Sequence, residues 1–567
     1  MVPETEQPLA LECAAHLRAA FVAYNDAFRE ITRRAKARFE RRQWAEGRRD
    51  SVERIDLYDR CVARSVREVE QLLGCDLHDR ALWGRAKAVF VELIRDLPDP
   101  EFARTYYSSV TRRIFQTVGI DGAVEFVGDE NVPMVNVDEP VAYRNYVNEG
   151  CLDVVLHRVL SNLEWSIDYE DLDSSAARVA TELAEHYRNE QDGDSVLCID
   201  VMAAVFYRDT RAYVLGRVMG WTRTTPLVIV LKNTDQGIAI DAVLQGDGGV
   251  AHLFGFARSY FHVDLESVGA AIVFLKRLMP RRPVNELFTV LGRAKQGKTE
   301  RYRNFATHLR RSRDRFIFAP GNKGMVMVVF TLPSFDLVFK VIRDRFAPPK
   351  QTTRDDVMAR YDLVFKHDKA GRLVDTQEFR MLKFHRDRFS PDVLEELLAA
   401  TANTTRLEGD HVVIGHAYLE RRLRPLNLYL QEVSAESARR AVVDYGAAIR
   451  DLATSNIFPG DLLPKNFGVS YHGRVIFYDY DELCLLGDCN FRRLPAPRTH
   501  EDEMSAEPWF YVGEHDVFPE EFGAFLGLNP EQKQLFLDHH GDLLVPETWQ
   551  AIQARIRDGE ILDVLPY

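Results

Sequence analysis

The sequence predicts an α+β chain of two domains. Residues 1–312 form a mainly helical N-terminal domain with some sheet inside it, and residues 313–567 form a C-terminal domain of mixed strands and helices. Three observations predict this. Stripes of apolar residues at three- and four-residue steps fill the N-terminal third. Short β-branched runs between turn residues begin near Ser195. A linker-like "RRSRDR" then precedes a new sequence style at Phe316. At 567 residues the chain also exceeds what one hydrophobic core covers.

Taken in order, Leu17, Phe21, Tyr24, Phe28, Ile31, Ala35 and Phe39 mark one face of a long first helix. Tyr58, Cys61, Val62, Val66, Val69 and Leu72 mark a second, and the two are expected to pair as a hairpin. The basic cluster "RRAKARFERRQWAEGRR" reads as a solvated face or a domain contact. "SVLCIDVMAAVFYR", "AYVLGRVMGW", "PLVIVLKNT" and "IAIDAVLQGD" are expected strands, and "ESVGAAIVFLKRLM" returns to helical periodicity. Next, Gly292, Gly297, Lys298 and Thr299 match G-x-x-x-x-G-K-[ST], the phosphate loop of many nucleotide hydrolases. Such a loop must leave a buried strand and open a helix. Leu287, Phe288, Leu291, Tyr302, Phe305 and Leu309 suit one or two helices better, and no apolar strand ending in Asp stands where magnesium would need it. The segment is therefore read as a charged helix–turn, with a hydrolase using Gly292–Thr299 as the competing reading.

Composition narrows the function classes. With 46% hydrophobic and 28% charged residues the chain reads as an ordinary soluble protein. No signal peptide is evident, and no apolar run approaches the roughly 20 residues that span a bilayer. Seven scattered cysteines, never C-x-x-C, suit a reducing compartment and a cytoplasmic location, without a disulfide framework or zinc ribbon. A net charge of -13 argues against nucleic acid as the main partner.

The chemistry concentrates in the second half. Ala319, Pro320, Gly321, Asn322, Lys323, Gly324 and Met325 form a turn whose two glycines let the backbone approach phosphates. A β-run from Val326 to Phe330, the turn "TLPS" and a second run to Lys340 follow. Lys340 shares a face with Val338 and Ile342, so its ammonium wants an anionic partner. Farther on, a helix through Ala438, Val442, Tyr445, Ile449 and Leu452 leads into "NIFPGDLLPKN", with Asp461 and Asn466 five residues apart. The hairpin "FGVSYHGRVIFY" then ends at Asp479. This is the spacing and order of a kinase-type site: a carboxylate for the nucleophile's hydroxyl, then an amide and a second carboxylate for the metal. Three decoys, "HGDLL" at His540–Leu544, Cys61 to Arg67 as C-x5-R, and "DYDEL" at Asp479–Leu483 as a phosphatase start, are read as structural or reassigned. The Pro- and acid-rich stretch Arg492–Trp509 is read as an exposed loop and a candidate docking element.

"FAPGNKGMVMVVFTLPSFDLVFKVI", "DTQEF", "YLERRLRPLNLYL", "NIFPGDLLPKNFGV" and "VIFYDYDE" closely resemble the bacterial isocitrate dehydrogenase kinase/phosphatase family. The resemblance spans essentially the whole chain and includes "GRAKQGKT". It implies a regulatory N-terminal domain responding to AMP and other metabolites, followed by a bilobal protein-kinase-like domain. That domain would use ATP and Mg2+ to phosphorylate a serine of isocitrate dehydrogenase and would also remove the phosphate, with ADP or ATP needed for removal. The switch governs flux between the tricarboxylic acid cycle and the glyoxylate bypass. Carried over by position, Ala319–Met325 and Lys340 match the ATP-binding residues, Asp375 and Asp461 the catalytic ones, and Asn466 and Asp479 the metal-binding pair. Ala417–Leu430 matches the segment between the lobes that contacts adenine. Asp375 and Glu378 are the candidates for pairing with Lys340 or for orienting water, and Asp375 or Asp481 for assisting the water that attacks phosphoserine. Beside the Gly292–Thr299 hydrolase, a kinase-like binding module that senses nucleotide without turnover is the other alternative.

Overall fold

The computed structural model describes residues 6–128, 141–190, 194–255, 261–321, 323–347, 352–367, 371–496, 499, 510–560, 562–565 and 567. Contacts divide the chain into two compact units, Met1–Ser312 with Tyr567, and Arg313–Pro566.

In the first unit, α1 (Glu6–Glu40) and α2 (Trp44–Leu73) pack along each other, joined by α3 (Arg80–Leu93) and α4 (Pro100–Phe115). Leu17, Phe21, Tyr24, Tyr58, Val62, Phe102 and Tyr106 form the heart of their core. The basic run is largely neutralised within the unit: Arg34 and Arg38 pair with buried Asp50 at 3.3 and 2.9 Å, and Arg33 pairs with Asp264 at 2.7 Å. After β1 (Tyr143–Val147), α5 (Leu152–Ser161) and α6 (Leu172–Glu190) come β2 (Val196–Met202), β3 (Phe206–Arg208), β4 (Arg211–Gly220), β5 (Thr224–Thr234) and β6 (Gly237–Gln245). They form an antiparallel sheet of order β1-β2-β4-β5-β6, with β3 beside β4. Ala212 and Val214 face α5 and α6, whereas Tyr213 and Leu215 face α7 (Gly246–Leu253) and α8 (Val268–Leu278). Both faces are covered, so β5 reads as an unbroken apolar run rather than an alternation. β1 escaped the sequence reading because only Tyr146 of its five residues is buried.

The Gly292–Thr299 motif lies in a helix hairpin, α9 (Val284–Val290) and α10 (Ala294–Arg311), and no strand enters it. Gly292 makes the turn with φ +85°. Gly297 lies inside α10, where a Cβ would stand 2.4 Å from Thr289 Oγ1 and 2.5 Å from the Asn285 carbonyl oxygen. This glycine lets two helices touch; it does not cradle an anion.

The second unit begins with β7 (Ile317–Phe318), β8 (Met327–Leu332), β9 (Phe335–Ile342), α11 (Arg354–His367), β10 (Gln377–His385), α12 (Pro391–Ala400), β11 (Thr405–Glu408) and β12 (His411–Arg421). The sheet order is β10-β12-β9-β8-β7, with β11 on β12. Phe316, Phe330, Phe339, Phe384 and Phe389 stack into its core. β13 (Arg424–Pro425) and α13 (Leu426–Glu432) lead to a helical half built on α14 (Ala435–Thr454). There β14 (Ile457–Phe458), β15 (Phe467–Val469), β16 (Val475–Phe477), β17 (Cys484–Leu485), β18 (Asn490–Phe491) and β19 (Asp516–Val517) form small sheets, followed by α15 (Pro519–Phe525), α16 (Pro530–His540) and α17 (Pro546–Arg557). A sheet lobe followed by a helical lobe is a bilobal architecture. The "HGDLL" decoy is structural: His540 packs against Gly446 of α14, and Asp542 pairs with Arg450 at 2.7 Å. Most of Arg492–Trp509 lies outside the described residues. Among the described residues no helix is long and apolar enough to cross a membrane.

Candidate active site

β9 and β12 pair antiparallel with Lys340 opposite Tyr418. Glu420, two residues on along β12, therefore shares a sheet face with Lys340 on the diagonal. The two meet at 2.8 Å, Lys340 6% and Glu420 2% exposed. Lys340 Nζ also donates to the Tyr478 carbonyl at 2.6 Å and lies 5.2 Å from the centre of that ring. Thr376 Oγ1 donates to the other Glu420 oxygen at 2.7 Å. Burial raises the Glu420 carboxyl above its ordinary range, against the opposing pull of Lys340 and Thr376.

This corrects the expected partner of Lys340, which is neither Asp375 nor Glu378. Glu378 sits on β10 and is held by Arg380 at 2.6 Å and His416 at 3.1 Å. α11 offers Lys340 no carboxylate; its Tyr361 stacks on Tyr418 with centroids 3.9 Å apart. A signal for Glu420 was present in "HVVIGHAYLER". A glutamate closing a β-branched run needs a cation as much as a lysine in one needs an anion.

Asp375 and Asp479 are brought together by the backbone. Leu373 bridges Phe477 in parallel, Phe477 N donates to Arg372 O at 2.7 Å, and Val374 N donates to Phe477 O at 3.2 Å. Each aspartate follows two residues beyond that bridge. Arg372 pins the crossing to α14 through Asp444 at 2.8 Å and Asp451 at 2.7 Å, and Tyr480 Oη donates to Val374 O at 2.8 Å. Asp375 is buried and accepts from Gln377 Nε2 at 3.3 Å.

The loop after β14 joins the same frame. Asp461 Oδ1 accepts from Leu463 N at 2.9 Å, and Asn466 Nδ2 donates to the Asp461 carbonyl at 3.3 Å. Tyr478 N donates to Asn466 O at 3.1 Å, which ties Asn466 to the residue preceding Asp479. Gly460 turns the chain with φ +80°, where a Cβ would lie 2.5 Å from the Glu482 carbonyl oxygen. The Asn466 amide nitrogen is used toward Asp461, so Oδ1 is its atom for a cation. With the Asp479 carboxylate this makes an all-oxygen pair, the donor set that suits magnesium shared with phosphates.

The glycine turn joins β7 to β8. Ala319 N donates to Val329 O at 3.1 Å, and Gly321 takes φ +118°. A Cβ on Gly324 would lie 2.9 Å from Met327 O. Pro320 and Met325 are exposed, and Asn322 lies outside the described residues. Lys323 is exposed and pairs with Glu396 of α12 at 2.6 Å, a carboxylate also held by Arg343 at 2.7 Å, so its charge is compensated.

A sheet lobe with a buried lysine–glutamate pair, a D-x-x-x-x-N loop on a helical lobe, and an aspartate after the next hairpin define a protein-kinase-like domain. Family comparison resolves the class further. Residues 314–567 match the isocitrate dehydrogenase kinase/phosphatase (AceK) kinase domain, and residues 14–313 match the regulatory domain of the same family. A protein of Anaeromyxobacter sp. (strain Fw109-5) named isocitrate dehydrogenase kinase/phosphatase is 47% identical over 98% of this chain and 96% of its own. One of the same name from Xanthomonas euvesicatoria pv. vesicatoria (strain 85-10) is 46% identical over 100% of this chain and 98% of its own. The chain belongs to the isocitrate dehydrogenase kinase/phosphatase family.

Proposed function

We propose that this chain phosphorylates and dephosphorylates isocitrate dehydrogenase on serine at one kinase-type site, and so sets flux between the tricarboxylic acid cycle and the glyoxylate bypass. The observation that carries the single-site reading is the shared frame. Lys340, Glu420, Thr376 and the Tyr478 carbonyl form one buried network, and it holds the segments bearing Asp375 and Asp479. Residues 313–567 are the catalytic domain, and residues 1–312 the regulatory domain that answers AMP and other metabolites. The protein works in the cytoplasm, without nucleic acid or membrane as a partner.

In the forward direction the Ala319–Met325 backbone and Lys340 hold the phosphates of ATP. Glu420 keeps the Lys340 ammonium aimed. Asp461 accepts the hydrogen bond of the substrate serine and takes its proton as the phosphoryl group transfers. Asn466 and Asp479 would hold Mg2+, whose chemistry is neutralisation of charge on the phosphate oxygens. In the reverse direction, with ADP or ATP present, Asp375 orients the water that attacks phosphoserine.

The test uses the full chain, γ-labelled ATP with magnesium and active isocitrate dehydrogenase. Label should enter the dehydrogenase and leave it once ATP is replaced by ADP and AMP. Lys340→Ala and Asp461→Ala should lose both steps, Lys298→Ala neither, and Asp375→Asn should lose release more than labelling. Nucleotide binding without labelling would favour a sensing module, and loss confined to Lys298→Ala would favour a hydrolase. Either result overturns the proposal.

A further inference from the structure

We propose that Cys484 and Cys489 form a thiol modification site, a dithiol that hydroperoxides convert to a reversible intramolecular disulfide beside the Asp461 loop. The two sulfur atoms lie 3.5 Å apart, and both residues are half-buried. The turn Leu486–Asp488 reverses the chain between them, and Cys489 N closes it by donating to Leu486 O at 3.1 Å. Gln553 of α17 holds the turn from outside, its Nε2 donating to Leu486 O and Cys489 O at 2.7 Å each. The other cysteines are buried (Cys13 and Cys61), exposed (Cys75 and Cys151) or half-buried (Cys198).

Cys489 Sγ also donates to the Leu485 carbonyl at 3.7 Å, a partner that favours its protonated form and makes the two sulfurs unequal. The neighbouring Cys489 thiol lowers Cys484 below the ordinary thiol range, whereas Cys489, facing that sulfur, is raised. Cys484 is thus the attacking sulfur and Cys489 the resolving one. Cys484 thiolate attacks one hydroperoxide oxygen, forming S–O and breaking O–O, and the expelled oxygen takes up the proton Cys484 had released and leaves as an alcohol, or as water from hydrogen peroxide. Cys489 then attacks the Cys484 sulfenic acid, forming S–S and breaking S–O, and water leaves with the Cys489 proton. Two thiols and one hydroperoxide give a disulfide, an alcohol and water, with two electrons passing to the peroxide. A transient bond of this kind is the form disulfides take in a reducing compartment.

The position gives the site a target. Bonding must draw the sulfurs together by about 1.5 Å, to the usual S–S length. Cys484 sits on β17 opposite Phe458 of β14, and Phe458 is three residues before Asp461. A Cβ on Gly460 would stand 2.5 Å from the Glu482 carbonyl oxygen, so the loop packs there in a space that admits no side chain. Strain at Cys484 therefore passes to the loop that presents Asp461. This coupling rests on the kinase reading; the chemistry of the thiols does not.

The test exposes the reduced full chain to hydrogen peroxide. Peptides are then mapped by mass without reduction, and labelling of isocitrate dehydrogenase is followed in parallel. The peptide carrying both cysteines should lose two hydrogens before Cys75 or Cys151 reacts, and a dithiol reductant should restore it. Cys489→Ser should instead trap a sulfenic acid at Cys484 that a cyclic dione captures. Labelling should fall about tenfold or more in the oxidised chain, since misplacing a catalytic group by about 1 Å costs up to a hundredfold, and should not fall in Cys489→Ser. Oxidation of Cys75 or Cys151 with the pair intact overturns the site. A formed disulfide with unchanged labelling overturns the coupling. A chain that never labels the dehydrogenase fails the kinase reading while leaving the mass shift interpretable.

Discussion

Replacing Glu420 by Gln tests the Lys340 pair without changing side-chain volume. At 2.8 Å the two charges attract by roughly 6 kcal/mol at an effective dielectric near 20, an attraction offset by the desolvation of both groups. The variant keeps the Thr376 hydrogen bond but leaves the Lys340 ammonium buried with the Tyr478 carbonyl and the rings of Tyr478 and Tyr480. Removing one member of a buried pair commonly costs about 3–5 kcal/mol, and the retained hydrogen bonds place this one near 3 kcal/mol. Lys340→Met should cost a similar amount by stranding Glu420. The double variant strands neither charge, so it should fall short of the summed single losses by about 2 kcal/mol or more. Hydrogen exchange of amides in β9 and β12 of the full chain reads the opening free energy locally, without requiring the two units to unfold together. Singles within about 1 kcal/mol of the parent, with an additive double, would refute the claim that this pair organises the site.

Three further outcomes are expected. Burial raises Glu300 to about 7 despite Arg303 and Gln296, so the folded first unit holds a proton that the unfolded chain releases above its ordinary 4.5. The contribution of Glu300 to the stability of that unit is therefore full below pH 4.5 and is lost, by up to about 3 kcal/mol, as pH rises to 7. Urea midpoints of Glu300→Gln should lack this slope; an unchanged slope would assign it to other groups. Gly297→Ala should destabilise the first unit despite a helix-propensity gain of about 1 kcal/mol, because the new methyl meets Thr289 and the Asn285 carbonyl, and a higher urea midpoint would contradict it. Gly460→Ala should lower phosphate transfer by forcing the Asp461 loop off the Glu482 carbonyl at a φ of +80° where a side chain is strained, and full activity would show that the loop tolerates displacement.

The elements that could be read from sequence were those whose pattern is local. α1, α2, α14 and the strands from β2 to β6 follow apolar periodicity, and the Asp461–Asn466–Asp479 order lies within one short stretch of chain. What could not be read was pairing across distance. Glu420 meets Lys340 only because β12 lies beside β9, and nothing within either strand states that adjacency. Asp375 gains its setting from a single parallel bridge at Leu373, too short to leave a periodic trace. The edge strand β1 was invisible because four of its five residues are exposed. The Gly292–Thr299 pattern misleads for the converse reason. Glycine serves a close helix contact and a phosphate cradle equally well, and only the neighbouring elements distinguish them.

The origin of Glu420 limits how this site can be governed. In ordinary protein kinases the lysine's acidic partner rides on a mobile helix, and swinging that helix away disconnects the pair and silences the enzyme. Here both members belong to neighbouring strands of one sheet, and α11 contributes an aromatic stack where such a helix would contribute its acid. Backbone hydrogen bonds keep β12 beside β9, so no swing of α11 carries the glutamate away from the lysine. On the proposed reading, control over adding and removing phosphate then falls to what the site is offered, or to the loop that receives it.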